Sequence, residues 1–275
     1  MNINDRVVPK KSSAKKKPSA KKKPSAKKKP SAKKQPLVNN TPSTIIFGTS
    51  LTRAFDLFKD TDTVIYIGKS LRTIDKVKDD VITHMRLYCN NDVCQTIIMN
   101  FGNSDTAFTY FLKNLYTEVS FVEYVEYARF KYFQFLEIIQ DTFKTFGPNK
   151  KLVVLGVLPP IIEDVNMKPM LLAYLKQCHI SPPSDDVIND YFKKSNTWKL
   201  EQRYKYIIMV NNMIQDISTK LGIKFVDVFT DTADPVTKRL KKKYIHKYSP
   251  EMIHLEWTTY AKVLMKKFPE LELKA

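Results

Sequence analysis

The sequence predicts an α/β protein built on a parallel sheet, and three observations carry that expectation. Five short apolar runs, Thr44–Phe47, Thr63–Ile67, Thr96–Phe101, Lys151–Leu155 and Ile223–Val228, are rich in Ile, Val and Phe. They lack the in-out alternation of a one-sided sheet, which is how strands buried on both faces read. Segments long enough for helices separate them, and a βαβα order gives parallel neighbours. The glycines, only six in number, punctuate these elements. Gly48, Gly68, Gly102 and Gly156 stand at or just past the ends of the first four runs. Gly147 and Gly222 stand just before the last two, where a helix needs a C′ residue.

Taken in order, the elements justify themselves by period. The run ending at Gly48 is followed by Thr49, Ser50 and residues that can open a helix. Val119–Phe146 is a long aromatic-rich helix with Phe121, Tyr124, Val125, Phe133, Leu136 and Ile139 among its apolar positions. Tyr206–Leu221 and Thr258–Phe268 repeat the helical spacing through Ile207, Val210, Ile214, Ile217 and Leu221, and through Tyr260, Val263, Leu264 and Phe268. Aromatic stripes of this kind read as core. Residues 164–202, with Pro169, the Pro182–Pro183 pair and mixed polarity, read as an insertion over one end of the sheet.

The totals bound the class. The chain has 275 residues and 43% hydrophobic residues, enough for one large domain with a sizeable core. Its net charge of +18 is unevenly spread. Residues 1–36 carry +13, whereas the rest holds 32 basic and 27 acidic groups, a net of +5. Residues 13–36 are four hexads of the form Ser-Ala-Lys-Lys-Lys-Pro, the last with Gln35. A proline every sixth residue breaks any helix, and the tract has no large apolar side chain to bury. The expected organisation is a disordered basic tail over 1–40 and an α/β domain over 41–275. Lysines over residues 10–34 can bind nucleic acid or another polyanion by counterion release. Anionic lipid, nuclear import or mere solubilisation are other uses of such a tail.

Three cysteines, Cys89, Cys94 and Cys178, show no framework spacing and read as ordinary thiols. No apolar run reaches the ~20 residues that cross a bilayer, and the N-terminus lacks the apolar segment of a secretory signal. The expectation is a soluble intracellular protein of cytoplasm or nucleus. The Lys-, Ile- and Asn-rich composition suggests an AT-rich genome, that of a protist or a large DNA virus, and a viral source adds the virion as a location. No His, Asp or Glu cluster has metal-site spacing and the glycines form no phosphate-cradling loop, so no metal or cofactor is expected.

Two stretches carry candidate chemistry. Ser50 follows the first strand at the edge where open α/β folds bind ligands, beside backbone N–H groups and the positive end of a helix. The plainer role for Ser50 is a helix N-cap. Near the C-terminus, Glu251 stands three residues before His254, a spacing at which a carboxylate can orient an imidazole so that its other nitrogen acts as a base. A surface pair is the plainer role there. His84, His179 and His246 show no such partner.

In combination these blocks resemble the SGNH (GDSL-like) hydrolase superfamily over about residues 44–268. Gly48-Thr49-Ser50-Leu51 resembles its first block, Gly102-Asn103-Ser104-Asp105 its third, and Glu251-Met252-Ile253-His254-Leu255 with Tyr260 its last. Val153–Pro160 and Phe225–Phe229 are similar to its connecting stretches. The resemblance implies a three-layer flavodoxin-like fold with a parallel sheet of about five strands flanked by helices. It implies Ser50 as nucleophile, His254 as general base and Glu251 in place of the usual aspartate. The oxyanion donors it implies are the Ser50 N–H, the Leu71 N–H where the family has glycine, and a side-chain amide. Strict register puts Ser104 at the amide position and Asn103 one residue early, so both are candidates. The implied reaction is hydrolysis of a carboxylic ester or O-acyl group, small or polymer-linked, through an acyl-serine. A catalytically impaired protein of this fold, serving as a nucleic-acid-associated binding or structural module, is the alternative, and acyl transfer a third reading.

The tail makes a prediction of its own. If all its charges engage DNA, log affinity should fall with log salt at a slope on the order of −10. Deleting residues 1–36 should abolish salt-sensitive DNA binding in a fluorescence-anisotropy titration. Retained binding would place the polyanion site on the domain.

Overall fold

The computed structural model describes residues 41–66, 69–246 and 255–274, so the expected basic tail lies outside the described residues. Five strands form one sheet: β1 (Thr44–Gly48), β2 (Thr61–Ile65), β3 (Thr96–Asn100), β4 (Lys151–Leu155) and β5 (Lys224–Val226). Their order is β2-β1-β3-β4-β5 and every pairing is parallel. This is the flavodoxin-like order, in which the chain reverses direction across the sheet between β1 and β3.

The helices follow in chain order: α1 (Lys78–Cys89), α2 (Tyr110–Thr117), α3 (Phe121–Lys144), α4 (Met167–Gln177), α5 (Asp185–Lys194), α6 (Leu200–Lys220), α7 (Phe229–Thr232) and α8 (Trp257–Lys267). Two 3₁₀ segments, Ser50–Leu57 and Leu71–Val77, and a π-helical turn, Asp105–Thr109, leave the ends of β1, β2 and β3. The expected long helix is α3, opened by a reciprocal pair in which Ser120 Oγ accepts from the Glu123 N–H and Glu123 Oε2 accepts from the Ser120 N–H. Residues 164–202 fold mainly as α4 and α5.

The runs of the three inner strands β1, β3 and β4 are buried on both faces for the expected reason, whereas the edge strands β2 and β5 are only partly buried. Ile45, Phe47, Ile97, Met99, Leu152 and Val154 point to one side and pack with residues of α1, α3 and α6. Ile46, Ile98, Val153 and Leu155 point to the other and pack with Ala54 and Phe55 of the first 3₁₀ segment and Tyr260 and Leu264 of α8. Alternate residues of one strand therefore feed two cores, and the result is three layers.

Gly48 is the last residue of β1, at the site end of the sheet. It pairs in register with Ile65 of β2 and Asn100 of β3. A Cβ at this position would lie 2.3 Å from Thr52 Cγ2 and 2.4 Å from the Asn100 carbonyl oxygen. The latter is backbone of a central strand and cannot yield without moving the sheet. Gly48→Ala should therefore destabilise the protein by roughly 1–3 kcal/mol or more, read as a lower urea midpoint. Gly147→Ala, where a Cβ meets no neighbour within 4 Å although φ is +107°, tests backbone strain without the clash.

Candidate active site

The carboxyl ends of β1, β2 and β3 deliver their following loops to one edge of the sheet. Ser50 is the first residue of the 3₁₀ segment after β1, and it is exposed. The N-cap position belongs to Thr49, which makes no side-chain capping bond. Thr49 Oγ1 is buried without a partner among the described residues. The turn is closed instead by Thr52, whose N–H and Oγ1 both donate to the Thr49 carbonyl at 2.9 and 2.7 Å. Ser50 is thus left with its hydroxyl at the surface and no capping duty.

Asn103 reaches this edge from β3 and is only 4% exposed. Its Oδ1 accepts the Leu158 N–H at 3.0 Å and its Nδ2 donates to Asn100 Oδ1 at 2.9 Å. The backbone N–H can only donate, so it sets which end of the amide is oxygen and leaves the second Nδ2 hydrogen for another acceptor. The loop after β4 is held again by Asn211 of α6. Its Oδ1 accepts the Val157 N–H at 2.9 Å, and its Nδ2 donates to the Val157 carbonyl at 3.2 Å. Gly102, at φ +102°, permits the approach, since a Cβ there would meet Val157 Cγ1 at 2.8 Å.

The other two expected donors are engaged elsewhere. The Leu71 N–H, expected to face an oxyanion, donates to both carboxylate oxygens of Asp105, at 2.9 and 3.1 Å. A backbone amide has one hydrogen, so in this arrangement none remains for a substrate. Ser104 Oγ donates to the Lys69 carbonyl at 2.8 Å, which turns it toward the loop after β2. Of the two candidates in the third block, Asn103 lines the cleft described below and Ser104 does not. Glu251, His254 and Gly68 lie outside the described residues.

Asp105 is the feature that motif reading quoted but gave no role. It is fully buried and also accepts from Tyr124 Oη of α3 at 2.7 Å. Burial pushes its carboxyl up from 3.8 to about 7, against the opposing bonds from Tyr124 and Leu71 and the nearby Arg72 charge. The Arg72 guanidinium lies 4.9 Å over the Tyr124 ring and 4.4 Å over the Tyr127 ring. Burial, then the Asp105 charge, raise the Tyr124 hydroxyl well above its ordinary value. The signal that could have found this pair is a carboxylate just inside a helix start followed 19 residues later by a tyrosine on a core stripe.

Beside Asn103 lies a small cleft that opens to solvent. Leu51, Ala107, Leu158, Pro159, Ile162 and Ile207 supply its apolar walls and Asn103, Thr106 and Arg203 its polar ones. Arg203 is 3% exposed; its Nε donates to the Trp198 carbonyl at 2.8 Å and its Nη2 to Asp164 Oδ1 at 2.7 Å. That pair ties the segment after β4 to α6. Among the described residues, no group of three His, Cys, Asp or Glu is placed to hold a metal ion. None of the described helices is long and apolar enough to cross a membrane.

A flavodoxin-order sheet with an exposed serine after β1 and an oriented asparagine after β3 defines an open α/β protein with its candidate site at the carboxyl edge. No protein-family model matches the sequence, and no curated protein matches it. Among solved structures, the fold is similar to several ester hydrolases. A lipase from a goat rumen metagenome is 13% identical, with a TM-score of 0.48 over 83% of this chain and 97% of that one. A GDSL-like lipase from Bacteroides thetaiotaomicron is 13% identical, with a TM-score of 0.47 over 86% and 90%. An aryl esterase from M. smegmatis is 11% identical, with a TM-score of 0.44 over 84% and 100%.

Asp105 gives a pH signature. Its folded value lies above its unfolded one, so the folded chain holds a proton that the unfolded chain has already released between about pH 4 and pH 7. Stability from this group is complete below about pH 4 and is lost as pH rises through 7. Asp105→Asn keeps an acceptor for Leu71 and Tyr124 without the charge, so its stability should decline less across that window. Urea denaturation of both proteins from pH 4 to 8 checks this; parallel curves would contradict it.

Proposed function

We propose that this chain is a serine hydrolase of the SGNH type, cleaving a carboxylic ester or O-acyl group through an acyl-serine. The observation that carries the reading is an exposed Ser50 just after β1 and, just after β3 at the same sheet edge, Asn103, whose amide is oriented by Leu158 and Asn100. Leu51, next to the serine, and Asn103 line the same cleft. The order of sequence blocks along successive strand ends supports the same reading.

In this mechanism Ser50 Oγ attacks the acyl carbon while His254 accepts its proton and Glu251 orients the imidazole. The developing oxyanion takes hydrogen bonds from the Ser50 N–H and the second Nδ2 hydrogen of Asn103. Collapse expels the alcohol, protonated by the imidazolium, and water repeats the sequence to release the acid. The Leu71 N–H, held by Asp105, acts by fixing the loop after β2. Two oxyanion donors remain in place of the three expected. The apolar cleft suits a short acyl group, and the basic tail would tether the enzyme to a polyanion.

The engagement of Leu71 with Asp105 favours a second reading, an impaired hydrolase fold that binds without turning over. Hydrolysis of p-nitrophenyl acetate separates the two. Ser50→Ala should abolish turnover above buffer, and Asn103→Ala should lower kcat by roughly 10²–10³, the usual cost of one oxyanion donor. Wild-type turnover in Ser50→Ala, or none in the wild-type protein, rules the hydrolase reading out.

A further inference from the structure

At the amino-terminal edge of the sheet, opposite the candidate site, two thiols meet that neither the fold nor the proposed reaction uses. Cys89 ends α1 and Cys94 stands two residues before β3. Their Sγ atoms are 3.3 Å apart, and each residue is 1% exposed. The four residues between them form a held turn. Asn91 Oδ1 accepts from the N–H groups of Val93 and Cys94 at 3.0 and 3.3 Å. Lys150, just before β4, sends its Nζ into this turn and donates to the carbonyls of Asn91 and Cys94 at 2.5 and 2.7 Å.

We propose that Cys89 and Cys94 form a dithiol site that a hydroperoxide oxidises to an intramolecular disulfide, with the Lys150 ammonium favouring a thiolate within the pair. Two thiols in contact share a proton readily, one S–H donating to the other sulfur as thiolate. The Cys89 hydrogen bond lowers the Cys94 thiol and the Lys150 charge lowers it further, against burial. The Cys89 thiol is raised, by that same bond first and by burial second. The Lys150 charge acts on both thiols, so it favours a thiolate within the pair without fixing which sulfur carries it.

The step balances. The thiolate of the pair attacks one peroxide oxygen; an S–O bond forms, the O–O bond breaks, and the departing hydroxide takes up a proton as water. The other sulfur then attacks this sulfenic acid; an S–S bond forms, the S–O bond breaks, and the second water leaves with the remaining thiol proton. Two thiols lose two electrons and two protons, and hydrogen peroxide is reduced to two waters. The sulfurs close from 3.3 Å to about 2 Å. Asn90, Asp92 and Val93 of the turn are exposed, so opening of this short segment admits a small oxidant. A dithiol reductant reverses the bond by thiol–disulfide exchange.

The test uses the full chain, reduced and then exposed to stoichiometric hydrogen peroxide, with N-ethylmaleimide added at intervals. Peptide mass mapping should show the peptide spanning Cys89 and Cys94 two hydrogens lighter and unalkylated, while the half-buried Cys178 still takes a maleimide. Dithiothreitol should restore both adducts. Lys150→Met should slow the bond by about tenfold and Lys150→Arg should keep the wild-type rate. Maleimide on both Cys89 and Cys94 after Cys178 has been oxidised overturns the site, whatever the variants do. An unchanged rate in Lys150→Met overturns the role given to Lys150.

Discussion

The candidate site depends on one buried carboxylate. Asp105 is fully enclosed, and burial outweighs the hydrogen bonds and positive charge that favour its ionised form. The fold accepts this because the carboxylate joins three parts of the chain at one buried point. It bonds the backbone of the loop after β2 and a side chain of α3 from its own place after β3. A buried group with several partners fixes geometry more strictly than apolar packing does, since its bonds are directional.

That carboxylate also divides the labour along the edge. The loop after β2 is turned inward to it, and Ser104 adds a bond to the Lys69 carbonyl of the same loop. The loops after β1 and β4 are left to form the cleft. Asn103 belongs to both groups: it follows β3 in the chain, yet its oxygen is bonded to the loop after β4. The site is therefore assembled by backbone N–H groups donating to side-chain oxygens across loops, which is how irregular segments satisfy their polar groups without a sheet.

How much of this was legible follows from which forces are local. The strands were legible because a run such as Ile45–Phe47 is apolar at every position, and only burial on both faces explains that. β5 is shorter than its run because it is an edge strand, and the Asp227 carboxylate accepts the Phe229 N–H at 2.7 Å and turns the chain away. α6 starts six residues before the expected Tyr206 because its first turns are polar, and their buried member is Arg203. α4 was obscured by Pro169, which sits in the first turn, where a missing N–H costs no bond. At the site, residue identities could be read but hydrogen-bond partners could not. Leu71 meets a carboxylate 34 positions away, and nothing near Leu71 in the chain announces it. The different directions taken by Asn103 and Ser104 likewise follow from distant contacts, with Leu158 and with Lys69.

The double clamp on Val157 and Leu158 has a consequence for how the cleft can change. Asn211 and Asn103 grip the peptide groups of this loop, not its side chains. The rim is thus held through its main chain, and its side chains, among them the buried Leu158 and Ile162, take no part in that grip. Substitutions at Leu158, Pro159 or Ile162 can widen, narrow or recolour the cleft while the amide of Asn103 keeps its aim. A scaffold of this sort separates what a pocket accepts from how it is held, so the range of ligands can drift without the framework being rebuilt.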